Sequence, residues 1–164
     1  MATTARSPAP RGKMLEVLAQ FRVVVKSIRR HYQDVERRAG LSGAQLWALS
    51  EIAKRPGCQV GQLARALAIH QSTASNLVRV LAKLGLVARQ RRGRDQRHVQ
   101  LAPTKKGLRV LKSAPQPLMG VLQQALSNLP AASLDSLHEQ LARLIKVMRV
   151  KSLQAARSTP LSEI

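Results

Sequence analysis

Residues 71–101 read QSTASNLVRVLAKLGLVARQRRGRDQRHVQL, and the reading of this stretch decides the fold. Its first half is helical: Ala74, Leu77, Leu81 and Leu84 recur three and four residues apart as one apolar stripe, and Gly85 closes the run. The opposite side carries Gln71, Ser72, Ser75, Asn76 and Arg79. Short polar groups of this kind reach base edges or phosphates when the N-terminal end of a helix enters the major groove, and an Arg there forks onto guanine or phosphate. Taken alone, a polar helix face is an ordinary solvated surface. The residues after Gly85 change that reading. Leu86 to Gln90 has the pattern of a short strand, Arg91 to Gln96 that of a polar turn around Gly93, and Arg97 to Leu101 that of the returning strand. Arg89, Arg91, Arg92, Arg94 and Arg97 crowd into this hairpin with a single acid, Asp95. Self-repulsion makes so dense a turn unfavourable unless phosphates neutralise it. Narrow minor grooves favour inserted Arg, which gives Arg94 or Arg97 a task at the tip. Asp95 is expected to pair with a neighbouring Arg and hold the hairpin in shape, since a carboxylate facing phosphate would be repelled.

Working outward, the chain on either side is helical. From Lys13, Leu15, Leu18, Phe21, Val25, Ile28 and Tyr32 recur at helical spacing until Gly40, with Val23 and Val24 broadening the apolar face. So broad a face on so long a helix suggests burial against a partner subunit as well as its own domain. Ser42 is a good N-cap for a second helix through Leu46, Leu49 and Ile52, which Pro56 and Gly57 end. A third, short helix is expected over Val60 to Leu67, then a tight break at Ala68 to His70 before the helix already described. Beyond the hairpin Thr104 caps a helix directed toward Leu126, which Pro115 and Pro117 must kink or interrupt. Asn128 to Pro130 marks a turn, and Leu134, Leu137, Leu141, Leu144, Ile145 and Met148 belong to a last helix. Three helices, a recognition-like helix, a hairpin and two more helices make a mainly α fold with a small β-hairpin wing, a winged helix-turn-helix flanked by helices at both ends.

Composition bounds the function. The chain has 164 residues, 45% hydrophobic but only 2% aromatic, which suits a core of packed helices. Twenty-eight Lys and Arg against eight Asp and Glu give a formal charge of +20, the electrostatic footprint of a nucleic-acid binder. The scarcity of aromatics speaks against single-strand stacking platforms and leaves double-stranded DNA as the expected partner. An enzyme would need a nucleophile with its base, a paired acid system or a metal cluster. His31, His70, His98 and His138 stand isolated among scattered acids, so no catalytic residue, metal or cofactor is expected. No apolar run approaches the length of a membrane span, and a cytoplasmic protein without a membrane partner is the natural reading. Residues 1–12 read as a disordered basic arm and 156–164 as a frayed tail, with one domain over 13–155.

The stretch from Leu41 to Leu111 resembles the MarR (multiple antibiotic resistance regulator) family of bacterial transcription regulators. Leu77-Val78-Arg79-Val80-Leu81-Ala82-Lys83-Leu84-Gly85-Leu86-Val87 is similar to the family's recognition helix and its exit. Asp95-Gln96-Arg97, then Leu101, Thr104 and Gly107, is similar to its wing-and-exit signature. Two residues depart from the pattern: His70 stands where a Ser or Thr cap is common, and Pro103 replaces an apolar residue before the Thr. The resemblance implies dimerisation helices over 13–40 and 104–155 around a winged helix-turn-helix over 41–103. It also implies a homodimer on a palindromic operator, and a repressor found on the nucleoid when bound.

Members of that family commonly release DNA when a small aromatic or anionic effector binds between the dimerisation helices and the DNA-reading lobe. Here Phe21, Val25, Ile28, His31, Tyr32 and Trp47 are the candidates, with Arg30 as partner for an anion; the plain alternative makes Phe21, Ile28 and Trp47 core. The lone Cys58 follows Pro56-Gly57, with Lys54 and Arg55 near enough in sequence to favour a thiolate and make it a redox candidate; the plain alternative is an inert cysteine. The rival to a regulator is an architectural protein that coats DNA without sequence preference, for which a charge of +20 would suffice.

Overall fold

Ser42 starts the helix around which the rest is packed. Its hydroxyl accepts from the Gln45 N–H at 3.3 Å while its own N–H donates to Gln45 Oε1 at 3.0 Å, a reciprocal cap that satisfies two otherwise orphaned donors. The computed structural model describes residues 11–91, 99–148 and 159–160, with the backbone alone at Arg91. Most of the expected arm and tail therefore lie outside the described residues. The elements are α1 (Arg11–Ala39), α2 (Gly43–Lys54), α3 (Val60–Leu67), α4 (Gln71–Lys83), β1 (Val87–Arg91), β2 (Val99–Pro103), α5 (Lys105–Ser113), α6 (Val121–Ser127) and α7 (Ala131–Val147).

α2 is the hub because it is apolar nearly all round: Leu46, Ala48, Leu49 and Ile52 are fully buried. Leu63 and Leu67 of α3, Leu77, Val78 and Leu81 of α4, and Leu101 of β2 close the same core. The α3–α4 turn is tight. Ala68 takes a left-handed conformation at φ 53°, and the Ile69 N–H returns to the Ala64 carbonyl at 3.0 Å. On α4 the buried stripe is Ala74, Leu77, Val78 and Leu81, so the stripe read from sequence is right but for its end. Leu84 is exposed because it is the C-cap, from which the chain turns away at Gly85 (φ 71°).

The two strands pair antiparallel, Val87 opposite Pro103 and Arg91 opposite Val99, and β1 starts one residue later than its sequence pattern suggests. The hairpin has a second anchor. Gly57 N–H donates to the Leu101 carbonyl at 2.7 Å and Leu101 N–H to the Cys58 carbonyl at 2.9 Å, so the α2–α3 turn adds a short bridge to the far edge of β2. Thr104 then ties the base of the hairpin to α4. Its hydroxyl donates to the Gly85 carbonyl at 2.7 Å and accepts from the Gly107 N–H at 3.0 Å. Gly107 is required there, since a Cβ would stand 2.2 Å from the Leu86 carbonyl oxygen.

The helix expected from Thr104 toward Leu126 is interrupted rather than kinked. Ala114, before Pro115, is extended at ψ 149°, as a residue preceding proline is forced to be, and α6 restarts only after Gly120. The outer helices are packed unevenly. α1 touches α2, α5 and α6. Its C-terminal part carries Val35, its one buried residue, while Leu15, Leu18, Phe21 and Val24 toward the other end are exposed. α7 has no buried residue at all.

Candidate nucleic-acid interface

The α4 helix presents opposite faces of opposite character. With Ala74, Leu77, Val78 and Leu81 buried, Gln71, Ser72, Ser75, Asn76 and Arg79 all project outward and are exposed. They share the N-terminal two turns of one helix face, as expected from their spacing. Arg79 Nη2 donates to Asn76 Oδ1 at 3.0 Å, which holds the guanidinium along the helix. His70 occupies the N-cap in extended conformation without a side-chain cap bond, and no acid lies in the first turn. The positive end of the helix is thus open to an anion.

Beside it β1 carries the exposed Arg89. The wing candidates Arg92, Arg94, Asp95 and Arg97, and the side chain of Arg91, lie outside the described residues. Further basic residues are exposed on the elements that follow. Lys83 ends α4, and Lys105, Arg109 and Lys112 are exposed along α5. Lys106 Nζ donates to the Leu84 carbonyl at 2.9 Å, which clamps α5 to the end of α4. Ion pairs among the described residues lie on α1, at the α2 C-terminus and on α7, leaving the cations of α4 and Arg89 of β1 without acid partners there.

The effector candidates do not gather in one place. Tyr32 and Trp47 share a cavity of about 200 Å³ between α1, α2, α4 and α6, walled also by Gly43, Leu67, Ile69 and Gln123. Phe21 and Arg30 instead line a shallow depression on the exposed side of α1. Arg30 and His31 border a third hollow against Pro115 and Gln116. Helix phase explains the split. Arg30 is about 200° around the helix from Tyr32, and Phe21, although nearly in phase, is about 16 Å along the axis. Ile28 is half-buried and lines none of these three. Burial holds the His31 imidazole below its ordinary value, against the opposing influence of its hydrogen bond to the Pro117 carbonyl and of Asp34.

The sequence profile of the MarR family matches residues 39–98, the span from the end of α1 through the hairpin turn. The winged helix-turn-helix of this chain is that of the MarR family. Solved structures share the fold. A MepR-like protein crystallised with pseudoligands superposes with a TM-score of 0.57 at 18% identity, over 81% of this chain and 94% of its own. MepR of S. aureus in complex with DNA gives 0.55 at 17% identity, over 87% and 100%. A probable transcriptional regulator from Pseudomonas aeruginosa gives 0.51 at 25% identity, over 75% and 94%. No curated protein matches the sequence.

The MarR family is one of DNA-binding transcription regulators and not of enzymes. Cys58 is buried, which bears against a thiolate there. Burial pushes its thiol up and outweighs the opposing pull of Arg55. Lys54 and Arg55 are engaged by Glu51, at 2.7 and 3.8 Å, rather than by the sulfur. Gln123 was missed by sequence reasoning altogether. It donates to Tyr32 Oη at 3.4 Å across a separation of 91 residues, and no local pattern marks such a contact. No described helix is long and apolar enough to cross a membrane.

Proposed function

We propose that this MarR-family chain is a homodimeric, sequence-specific repressor, resident in the bacterial cytoplasm and on the nucleoid when bound, that a small effector releases from DNA. The observation that carries this reading is the coexistence of two exposed surfaces of opposite character. One is the polar and basic face of α4 beside the Arg-rich hairpin. The other is the exposed apolar surface of α1 and α7, with Leu15, Phe21, Leu137 and Leu144 among its members. The first suits a polyanion and the second a second copy of the chain. The shared fold with S. aureus MepR, whose structure was solved in complex with DNA, supports DNA as the partner.

In this reading Gln71, Ser72, Ser75 and Asn76 meet base edges, and Arg79 forks onto guanine or phosphate. Arg91, Arg92, Arg94 and Arg97 bind phosphate or the minor groove, and Asp95 braces the wing. Two-fold symmetry places the two α4 helices in successive major grooves, so the operator is a palindrome with half-sites about one helical turn apart. The Tyr32–Trp47 cavity lies between α1 and the DNA-reading lobe. An effector there acts by favouring the spacing of the two lobes that does not fit the operator.

Selection from a pool of random duplexes at physiological salt, with sequencing of the bound fraction, tests the reading. A palindrome bound about a thousandfold more tightly than bulk DNA supports it. Tight, salt-sensitive binding without any motif would instead support an architectural DNA-coating protein, which the charge of +20 favours.

A further inference from the structure

Between Glu16 and Asp34 the α1 helix carries no acidic side chain, and four cations stand there: Arg22, Lys26, Arg29 and Arg30, all exposed. They fall within about 100° of one another around the helix axis and about 12 Å along it. The row is centred about 160° around from Val35, the buried residue of α1, and about 120° from Phe21 in the exposed apolar surface. It thus points away from the packed lobe and from the surface assigned above to a second copy.

None of the four makes an ion pair among the described residues, and the flanking acids are taken. Glu16 holds Lys13, and Asp34 holds Arg37 and Arg38. Lys26 stands four residues from both Arg22 and Arg30, a spacing at which like charges destabilise a helix. The chain has little with which to offset this. Outside the described residues the sequence has two acids, Asp95 and Glu163. A second copy brings the same eight acids with the same 28 Lys and Arg, and its Glu16, Asp34, Glu51 and Glu139 are already paired within their own chain.

A polyanion supplies what the protein lacks. A bilayer surface would need a wide apolar face beside the cations to enter it, and on the side away from Phe21 the row is flanked by Val23 alone. Duplex DNA needs only the cations, since each phosphate they neutralise releases counterions. The row is also separate from the α4 surface. α4 packs on α2, α3 and β1, whereas α1 packs on α2, α5 and α6.

We infer that Arg22, Lys26, Arg29 and Arg30 form a second, sequence-independent site for the backbone of duplex DNA, so that the protein holds one duplex segment at α4 and another at α1. This site requires no sequence preference at α4, and the dimer reading enters only in setting a membrane aside.

The test is a capture assay with the full chain at physiological salt. A biotinylated random-sequence duplex of about 30 base pairs is fixed on beads, and a fluorescent duplex of the same length is offered to the bound protein. The comparison is with a variant carrying Arg22→Gln, Lys26→Gln, Arg29→Gln and Arg30→Gln. The expected result is that the variant still binds the first duplex within roughly threefold, while its capture of the second falls at least about tenfold. The log–log salt dependence of that capture should flatten by about 2 to 4. Should the fourfold variant fold poorly, Lys26→Gln with Arg30→Gln, the pair farthest from Phe21, should give a smaller loss of the same kind. Equal capture by the unaltered chain and the variants would overturn the site, as would no capture by either. Binding to phosphatidylglycerol vesicles that the variant loses, with duplex capture unchanged, would give the row to a membrane instead. A palindrome recovered by selection together with no second duplex captured would sink the α1 site and leave the proposed function standing; second-duplex capture that the variants lose, with no palindrome recovered, would do the reverse.

Discussion

Leu49 and Leu137 are the same side chain in two different circumstances. Leu49 on α2 is 0% exposed, part of the core that α2 shares with α3, α4 and β2, whereas Leu137 on α7 is 37% exposed. The contrast extends to the regions around them. From Leu41 to Ala114 the chain buries most of its large apolar residues internally, Leu84 and Leu108 excepted, and is held by a cap at Ser42, a bridge from Cys58 to Leu101 and a clasp from Thr104 to Gly85. The first half of α1 and all of α7 leave theirs outside. One region is complete in a single copy of the chain. In the other, the sequence has the apolar periodicity of a core helix but nothing in the same copy to bury it.

The contrast can be broken by mutation. Leu49→Ala should cost about 3–5 kcal/mol by leaving a cavity in a closed core, with a drop in melting temperature that is the same at every protein concentration. Gly107→Ala should come next at about 2–3 kcal/mol, because the obstruction is the Leu86 carbonyl and not a side chain that can swing away. Thermal melts at two concentrations check both; a tolerated Gly107→Ala would contradict the clasp between wing and α4. Leu137→Asp should behave in the opposite way. Secondary structure is retained while self-association weakens by about 2 kcal/mol, roughly thirtyfold, measurable by sedimentation. Equal unfolding of Leu49→Ala and Leu137→Asp would erase the distinction between the two regions.

The smallest expected effect sharpens the seam between them. His31 sits where α1 enters the packed region, and burial lowers its pKa from 6.5. The folded state therefore favours the neutral ring. The stabilisation is present above pH 6.5 and is lost as pH falls through the lowered folded value. Asp34, held low first by its hydrogen bond from Arg37, loses its contribution only below its ordinary 3.8. Melting temperature should thus fall between pH 7 and 5 by an amount that His31→Gln reduces. An unchanged slope in that variant would place the acid sensitivity elsewhere.

Much of the fold was legible because its signals are local. Ser42 with Gln45, Thr104 with Gly107, and Gly40 and Gly85 at helix ends each act within a few residues, and the corresponding elements lie where their patterns place them. The polar face of α4 was legible for the same reason. Contacts distant in sequence were not. The Cys58–Leu101 bridge leaves no periodic trace, and the proximity of the thiol to Arg55 in sequence gave no hint that burial outweighs it. Gln123 reaches Tyr32 only because Pro115 interrupts what periodicity alone would read as one helix. The separation of Arg30 from Tyr32, by contrast, was available from helix phase.

The central claim is that the apolar surface of α1 and α7 belongs to a second copy of this chain. Sedimentation equilibrium of the full chain at micromolar concentration tests it most directly. A species of twice 18.0 kDa is expected, which Leu137→Asp shifts toward 18.0 kDa. A monomer at every concentration, unaffected by that substitution, would contradict it.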